Sequence, residues 1–531
     1  MASRTHWRMG RPAIFSAAAA VVLAGAVVSA FAAAAPPRFL SPRDLSDKGA
    51  DAVIPVVAFD PKGNTIVAWA QAKGSTWTID AAERPPGGPW GAPVALSQAA
   101  THVASPQIAV GGDFVVTVWD RYDGKNLIVQ ASSRDARTHA WTAPASLSLG
   151  GRDAQSPVVA VNARGDAVAV WASVSLSGWT IQSSYRPAGG AWQTAAPIQG
   201  PLVGTAEPEV VIDPDGRAVA VWAATAGNGW RVYAATRERD GGWSRGVAIS
   251  GPDTSGSIEP QLALEGTNDV LAVWSRTITD GPVIQASTLN AVRDAWSPEV
   301  QPFVVPHDAL APSLAVDKRG DGVVLWTSSD QSGLSVMASY RRAGRPWGAA
   351  TAVSGTASGA LSPQVALDAR GNAVAVWTQS VNGFSRVQAA SYTVASGWSA
   401  SRVLSKVGGD ALTPDVALDA DGDGAVAWAR YDGRSFVIQG NGYDRNGPSL
   451  SKLSIPPTGT VGRRLTFAVA PKDVWTTVGA IRWTFGDGTA GSGRATRHVY
   501  TRPGRYVARV TVTDAFGHAS TVRRFVTISA G

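Results

Sequence analysis

A proline followed thirteen or fourteen residues later by a tryptophan occurs eight times: Pro55/Trp69, Pro106/Trp119, Pro157/Trp171, Pro208/Trp222, Pro260/Trp274, Pro312/Trp326, Pro363/Trp377 and Pro414/Trp428. Successive prolines lie 51 or 52 residues apart. One supersecondary unit has therefore been copied along most of the chain, and a unit that cannot bury its own faces must stack on its neighbours. This constrains the architecture far more than it constrains the function.

The fourth unit shows what is copied. Pro208 to Asp213 and Ala218 to Trp222 are short runs of β-branched and small apolar residues on either side of a Pro-Asp-Gly turn, which is a hairpin signal. Trp230 to Thr236 supplies a third strand, and Trp243 with Val247 to Ser250 a fourth. The strands are apolar on both faces and need cover on both sides. Four-stranded meanders stacked radially make a β-propeller, which requires a device that joins its ends. The eighth unit stops at Tyr443 without the Trp-to-Leu-Ser segment of the others, and Arg43-Asp-Leu-Ser46 matches the missing piece. The expectation is an all-β chain: an eight-bladed propeller over 36–447 closed by strand 43–46.

The repeated residues have packing roles in this reading. Fifteen of the 21 tryptophans fall at two fixed positions per unit, one ending the second strand and one opening the fourth. The recurrent proline is placed at the first residue of a strand, where it costs no ladder bond. The Asp-x-x-Gly turns, such as Asp60 to Gly63, combine an Asx hydrogen bond with a glycine for positive φ.

Composition excludes several function classes. Residues 1–35 read as an export signal, with Arg4, Arg8 and Arg11 before an apolar run from Ala13 and small residues Ala32 to Ala35 at the end. An uncleaved anchor is the alternative, and is the only membrane association expected. Either way the body is placed outside the cytoplasm, secreted or at the cell surface. Removing those three arginines lowers the formal net charge from +7 to +4, with no Lys/Arg cluster to neutralise a run of phosphates, so no nucleic-acid partner is expected. The chain has no cysteine, which excludes disulfides, thiolate metal sites and cysteine nucleophiles. A monomer is expected.

After Gly447 the register stops. Residues 448–460 read as a linker and 461–531 as a separate domain. Trp483-Thr-Phe-Gly-Asp-Gly488, His498-Val-Tyr500, Pro503-Gly-Arg-Tyr506 and the strand leading to Asp514-Ala-Phe-Gly517 follow one another at suitable spacing. This pattern resembles the PKD domain. The resemblance implies an immunoglobulin-like β-sandwich, common in extracellular proteins as a spacer or weak binder, with Trp483 and Tyr506 in its core and Asp487-Gly488 in a tight hairpin.

Function is expected where the copies stop agreeing. The turns between second and third strands vary: Asp120 to Lys125, Arg276 to Asp280, Asp330 to Gly333 and Arg430 to Arg434. Candidate ligand contacts on that face are Trp77, Tyr122, Trp179, Trp230, Arg276, Phe384 and Tyr431, six aromatic residues suited to sugar rings and one arginine suited to polar groups. The expected role is a non-catalytic binding or surface-interaction module for a glycan or an extracellular protein. A glycan-active hydrolase or lyase is the alternative. Its candidate acids are Glu207 and Glu259, which precede the proline in adjacent units and would flank the channel. Asp419, Asp421 and Asp423 reproduce the opening of an EF-hand-like calcium loop, but its twelfth position is Arg430 rather than glutamate, so the structural turn is preferred to a calcium site and no cofactor is expected. There is no sialidase Asp-box, nucleophile elbow or Ser-His-Asp arrangement.

Overall fold

The computed structural model describes residues 35–531 apart from 227–228, 252–255, 267, 304–307, 332 and 356–358. The expected signal segment lies outside the described residues except for its last residue. The first sheet runs Ala52–Phe59, Thr65–Lys73, Thr76–Arg84 and Val94–Ala95, each strand antiparallel to the one before. Among the described residues, seven further sheets of this form follow in chain order, and together they make a β-propeller. The outermost strands are mostly two residues long, so the tryptophans expected to open them instead lie half-buried just outside or at their ends.

The ends close as the repeat arithmetic requires. Arg43 and Asp44 pair with Gly440 and Gln439 on the third strand of the last sheet. Upstream, Arg38 and Phe39 extend the same edge against Asp444 and Tyr443. Further bonds stitch the seam, among them Phe436 N–H to Asp51 Oδ1 at 2.8 Å, Ile438 N–H to Ser46 Oγ at 2.9 Å, and Val57 N–H to Asp415 Oδ2 at 2.7 Å.

Packing between sheets explains the second-strand tryptophans. All eight have no solvent exposure. Trp222 packs with Val168, Val170 and Ile181 of the preceding sheet, and Trp428 with Val374 and Val376 of its predecessor. Trp69 of the first sheet packs with Ala425, Ala427 and Ala429 of the last. Alanines such as Ala169, Ala220 and Ala375 leave room for the indole at several of these interfaces, and an indole buries roughly 200 Å² of mostly apolar surface.

The recurrent proline is not at a strand start. Each sits inside its innermost strand at a register shift, as between Val53 and Val56 or Ala206 and Glu209. The residue before it is left-handed: Ile54, Ser105, Ser156, Glu207, Glu259, Ala311, Ser362 and Thr413 have φ between 49° and 56°. A bulge is where a residue without an N–H fits a sheet, and the following proline disfavours right-handed helical backbone at the residue before it. Each such non-glycine residue costs of order 1–3 kcal/mol in backbone strain.

The residues expected to be a linker also fold differently. Ser449–Ser454 pairs with Arg464–Lys472, which pairs with Ala495–Val499. Thr458–Thr460 runs parallel to Ala519–Ser529 in the second sheet, with Gly504–Asp514, Val478–Thr484 and Ala490–Ser492. Leu450, Leu453 and Ile455 join the sandwich core around Phe467, Trp483 and Tyr500. Prolines and serines disguised this apolar alternation. Trp483 is fully buried and Tyr506 partly so, as expected.

The sandwich docks on the propeller through Trp475. Its ring meets Phe59 edge-on at 6.5 Å and lies 4.4 Å from the Arg84 guanidinium, which also donates to Val474 O at 2.6 Å. A Cβ on Gly442 would come within 2.5 Å of the indole, so a glycine is required there.

Candidate functional site

The bulges lie near the start of the innermost strands, at the channel end that also carries the second-to-third turns. A left-handed residue there turns its side chain toward the next sheet. Glu207 Oε2 accepts the N–H of Glu259 at 2.7 Å, and Glu259 Oε2 accepts the N–H of Ala311 at 2.7 Å. The two expected acids are thus brought together, in a relay across three adjacent sheets.

One residue beyond each proline, a second row faces the channel. Glu209 and Gln261 stand side by side, with Gln261 Nε2 donating to Glu209 Oε1 at 3.4 Å. Ser313 Oγ accepts Val365 N–H at 3.2 Å, and Asp415 occupies the equivalent place at the closing seam. The mouth forms a cavity of about 380 Å³ lined by Glu207, Glu209, Glu259, Gln107, Gln261 and Ser105, with prolines and Val158 as apolar wall. No lysine, arginine or histidine is among its lining residues.

Burial dominates the electrostatics. It pushes Glu209 from 4.5 to about 7, helped by the negative charge of Glu207 and opposed by the Gln261 hydrogen bond. Burial also raises Glu207, opposed by the Glu259 N–H and helped by the Glu259 charge. Asp415 rises to about 6 through burial, partly offset by the N–H groups of Val57 and Val416. The mouth therefore offers hydrogen-bond acceptors, amides and, near neutral pH, a carboxylic O–H.

The other candidates are placed elsewhere. None of Trp77, Tyr122, Trp179, Trp230, Arg276, Phe384 and Tyr431 is among the cavity's lining residues. Trp77 and Trp179 are half-buried against inter-sheet clusters, and Trp77 exchanges backbone bonds with Ala100. Trp230 is also half-buried, its ring 3.5 Å from where a Cβ on Gly204 would sit. Phe384 is 44% exposed beneath the Arg386 guanidinium, and Tyr122 and Tyr431 are exposed on their turns. Arg276 is 9% exposed, bonded to Gln285 Oε1 at 3.0 Å and ion-paired with Glu299 inside its own sheet. It braces the sheet instead of presenting a charge to ligand.

Asp419, Asp421 and Asp423 lie at the opposite mouth. Asp419 Oδ1 accepts the N–H groups of Asp421, Gly422 and Asp423 at 3.0, 2.8 and 3.0 Å. Asp423 Oδ1 takes those of Arg445 and Asn446, and exposed Asp421 pairs with Arg370 at 3.2 Å. Their oxygens serve the turn and its neighbours, and among the described residues they do not form a group of three within metal-ligating reach. The Asp419 and Asp423 carboxylates act as backbone caps.

Glu209, Gln261 and Asp415 were missed by sequence reasoning. Their signal is present: six of the eight residues that follow the recurrent proline are polar, in strands otherwise apolar on both faces.

Comparison with curated proteins finds no match. Among solved structures, a protein of unknown function from Dyadobacter fermentans is 11% identical, with 77% of this chain and 99% of that chain covered and a TM-score of 0.41. A polysaccharide lyase described as an ulvan lyase is 8% identical, covering 63% and 95%, at a TM-score of 0.44. The PKD1 domain of the Vibrio cholerae metalloprotease PrtV is 23% identical over 16% of this chain and 98% of its own, at a TM-score of 0.14. Residues 447–529 match the family model of the PKD domain, and the C-terminal sandwich belongs to that family.

Proposed function

We propose that the chain is an exported binding protein whose propeller takes a neutral, hydroxyl-rich ligand, an oligosaccharide segment, at the variable mouth of its channel. The observation that carries this is the lining of the mouth: carboxylates, amides and two serines line one cavity without a cationic side chain among its lining residues. Sugar hydroxyls donate to carboxylates and amide oxygens, and the prolines and Val158 suit the apolar face of a pyranose. An anionic glycan would meet like charge. Export follows from the arginine-led apolar segment at the N-terminus, and the PKD sandwich is a docked spacer.

A glycan array followed by calorimetric titration of the best neutral hit tests the proposal. Q261A and E209Q are expected to weaken binding tenfold or more while both variants keep a cooperative melting transition. Unchanged affinity in both variants contradicts the proposal.

One observation favours a second reading. Glu209, held near neutrality, sits beside the Glu207 carboxylate, and such a pair suits proton donation to a glycosidic oxygen. That reading predicts reducing-end release from a neutral polysaccharide, abolished by E209Q. Binding with no release supports the binding module alone.

A further inference from the structure

A buried cluster outside the channel joins the two domains. The third strand of the last sheet, Phe436–Asp444, ends by delivering Asp444 to the seam with the sandwich. The turn between Gly504–Asp514 and Ala519–Ser529 delivers Asp514 and His518 from the other side. The three residues are 1%, 5% and 3% exposed, and one ligand atom from each lies within 4.8 Å of the others. His518 Nδ1 is 2.8 Å from Asp514 Oδ2 and 3.3 Å from Asp444 Oδ1.

Two independent features point to a cation between them. His518 Nε2 is 3.1 Å from the carbonyl oxygen of Pro36. A proton on Nε2 donated to that carbonyl leaves the Nδ1 lone pair facing the two carboxylates, which is how a metal-ligating imidazole is usually oriented. The second feature is Asp444 Oδ2, which is buried without a hydrogen-bond partner. A buried carboxylate oxygen left unpaired is costly, and a metal ion would complete it.

The surrounding charge agrees. Asp423 and Asp473, each 5% exposed, face the same seam closely enough to act on Asp444. Their Oδ1 atoms accept backbone N–H groups, of Arg445 and Asn446 for Asp423 and of Trp475 and Thr476 for Asp473. The nearby arginines point elsewhere. Arg445 reaches Asp368 at 3.5 Å, Arg84 covers Trp475, and Arg38 lies over Phe516. Four carboxylates and one imidazole thus share a buried seam.

We infer that Asp444, Asp514 and His518 form an interdomain site for a divalent transition cation of the Zn²⁺ type, which staples the sandwich to the last sheet. An imidazole with two carboxylates is a borderline ligand set that suits Zn²⁺ better than Ca²⁺, which prefers six or more oxygens. Ligands at about 2.0–2.1 Å around a tetrahedral ion stand about 3.3 Å apart. The His518–Asp444 separation of 3.3 Å meets that spacing, and the 2.8 Å separation from Asp514 has only to open slightly. The fourth position falls to Asp444 Oδ2 or to water. This site does not depend on the channel-mouth reading.

The test uses full-length, tag-free protein. Elemental analysis after purification, and again after chelator dialysis and ZnCl₂ addition, is expected to give about one zinc per chain in the wild type. Zn²⁺ should raise the melting temperature of chelator-treated protein. D444N and H518Q should each lose the bound metal and the shift, while D421A at the exposed turn keeps both. Should either site variant not fold, Co²⁺ absorption of the wild type reports the tetrahedral nitrogen and oxygen ligand field directly. A wild type that retains no stoichiometric metal and shows no Zn²⁺-dependent shift overturns the site, as does undiminished metal binding in both D444N and H518Q.

Discussion

The two mouths of the propeller channel use the same residue type in opposite ways. At the mouth facing the sandwich, Asp60, Asp213, Asp317, Asp368 and Asp419 each accept N–H groups of their own Asp-x-x-Gly turn. At the other mouth, Glu207 and Glu259 hold the next sheet with one oxygen each, and Glu209 meets a neighbouring amide. The turn carboxylates, which recur in five of the eight copies, are engaged by the fold. Glu207, Glu209 and Glu259, present in only one or two copies, line the cavity of about 380 Å³, while Asp60, Asp317 and Asp419 border a larger one of about 1240 Å³ with their Oδ1 atoms already engaged by the turn. Repetition thus marks the acids that serve the turns.

The largest expected effect strikes what the two ends share. Trp222→Ala empties an inter-sheet contact that serves the whole ring, and a loss of about 3–5 kcal/mol by denaturant titration is expected. A smaller value means the neighbouring sheets collapse onto the gap.

The contrast itself comes next. Asp368 is 1% exposed and accepts Arg370 N–H, Asn372 N–H and Asn372 Nδ2, each at 2.8 Å. Asp368→Ala is expected to cost about 2–3 kcal/mol, because three donors lose a charged acceptor. Glu259→Gln, which keeps an acceptor oxygen for Ala311, should cost under about 1 kcal/mol. Equal losses in the same denaturation experiment would erase the distinction between the mouths.

Acidity sharpens it further. Glu209 titrates near 7 when folded and at 4.5 ordinarily, so the folded state holds the proton more tightly. The stability this contributes is full below about pH 4.5 and is lost as pH rises through about 7. Glu209→Gln should remove roughly 1–2 kcal/mol of that pH dependence, discounted for partial exposure. Denaturation midpoints of both proteins between pH 4 and 8 check the sign; parallel profiles contradict it.

The smallest effect concerns backbone strain. Ser105 precedes its proline at φ 52°. Ser105→Gly should stabilise the protein by up to about 1 kcal/mol, since glycine adopts this conformation without a Cβ penalty but gains freedom when unfolded. A loss of stability would mean that Ser105 makes a compensating contact.

Much of the architecture was legible because packing repeats. Eight prolines, eight tryptophans and a fourth strand displaced to Arg43 leave few ways to arrange the sheets. The bulges were not legible, because nothing in the identity of Ile54 or Glu207 marks left-handed backbone before a proline. The supposed linker misled because Pro456 and Pro457 interrupt an alternation that nevertheless buries Leu450 and Ile455. Among the site residues, Glu207 and Glu259 were placed correctly beside the channel from their register alone. Arg276 was not, because its ion pair with Glu299 spans strands that the sequence does not show as neighbours. The exposed aromatics were chosen by face, and the face is wider than the cavity.

The measurement that bears most directly on this account compares ligand affinity at the two mouths. For the best neutral glycan, a variant combining E209Q and Q261A is titrated beside D421A, with folding of both checked by melting temperature. A tenfold or greater loss confined to the first variant is the predicted result. Loss in D421A, or unchanged binding in the E209Q/Q261A protein, contradicts the assignment of the ligand site to the variable mouth.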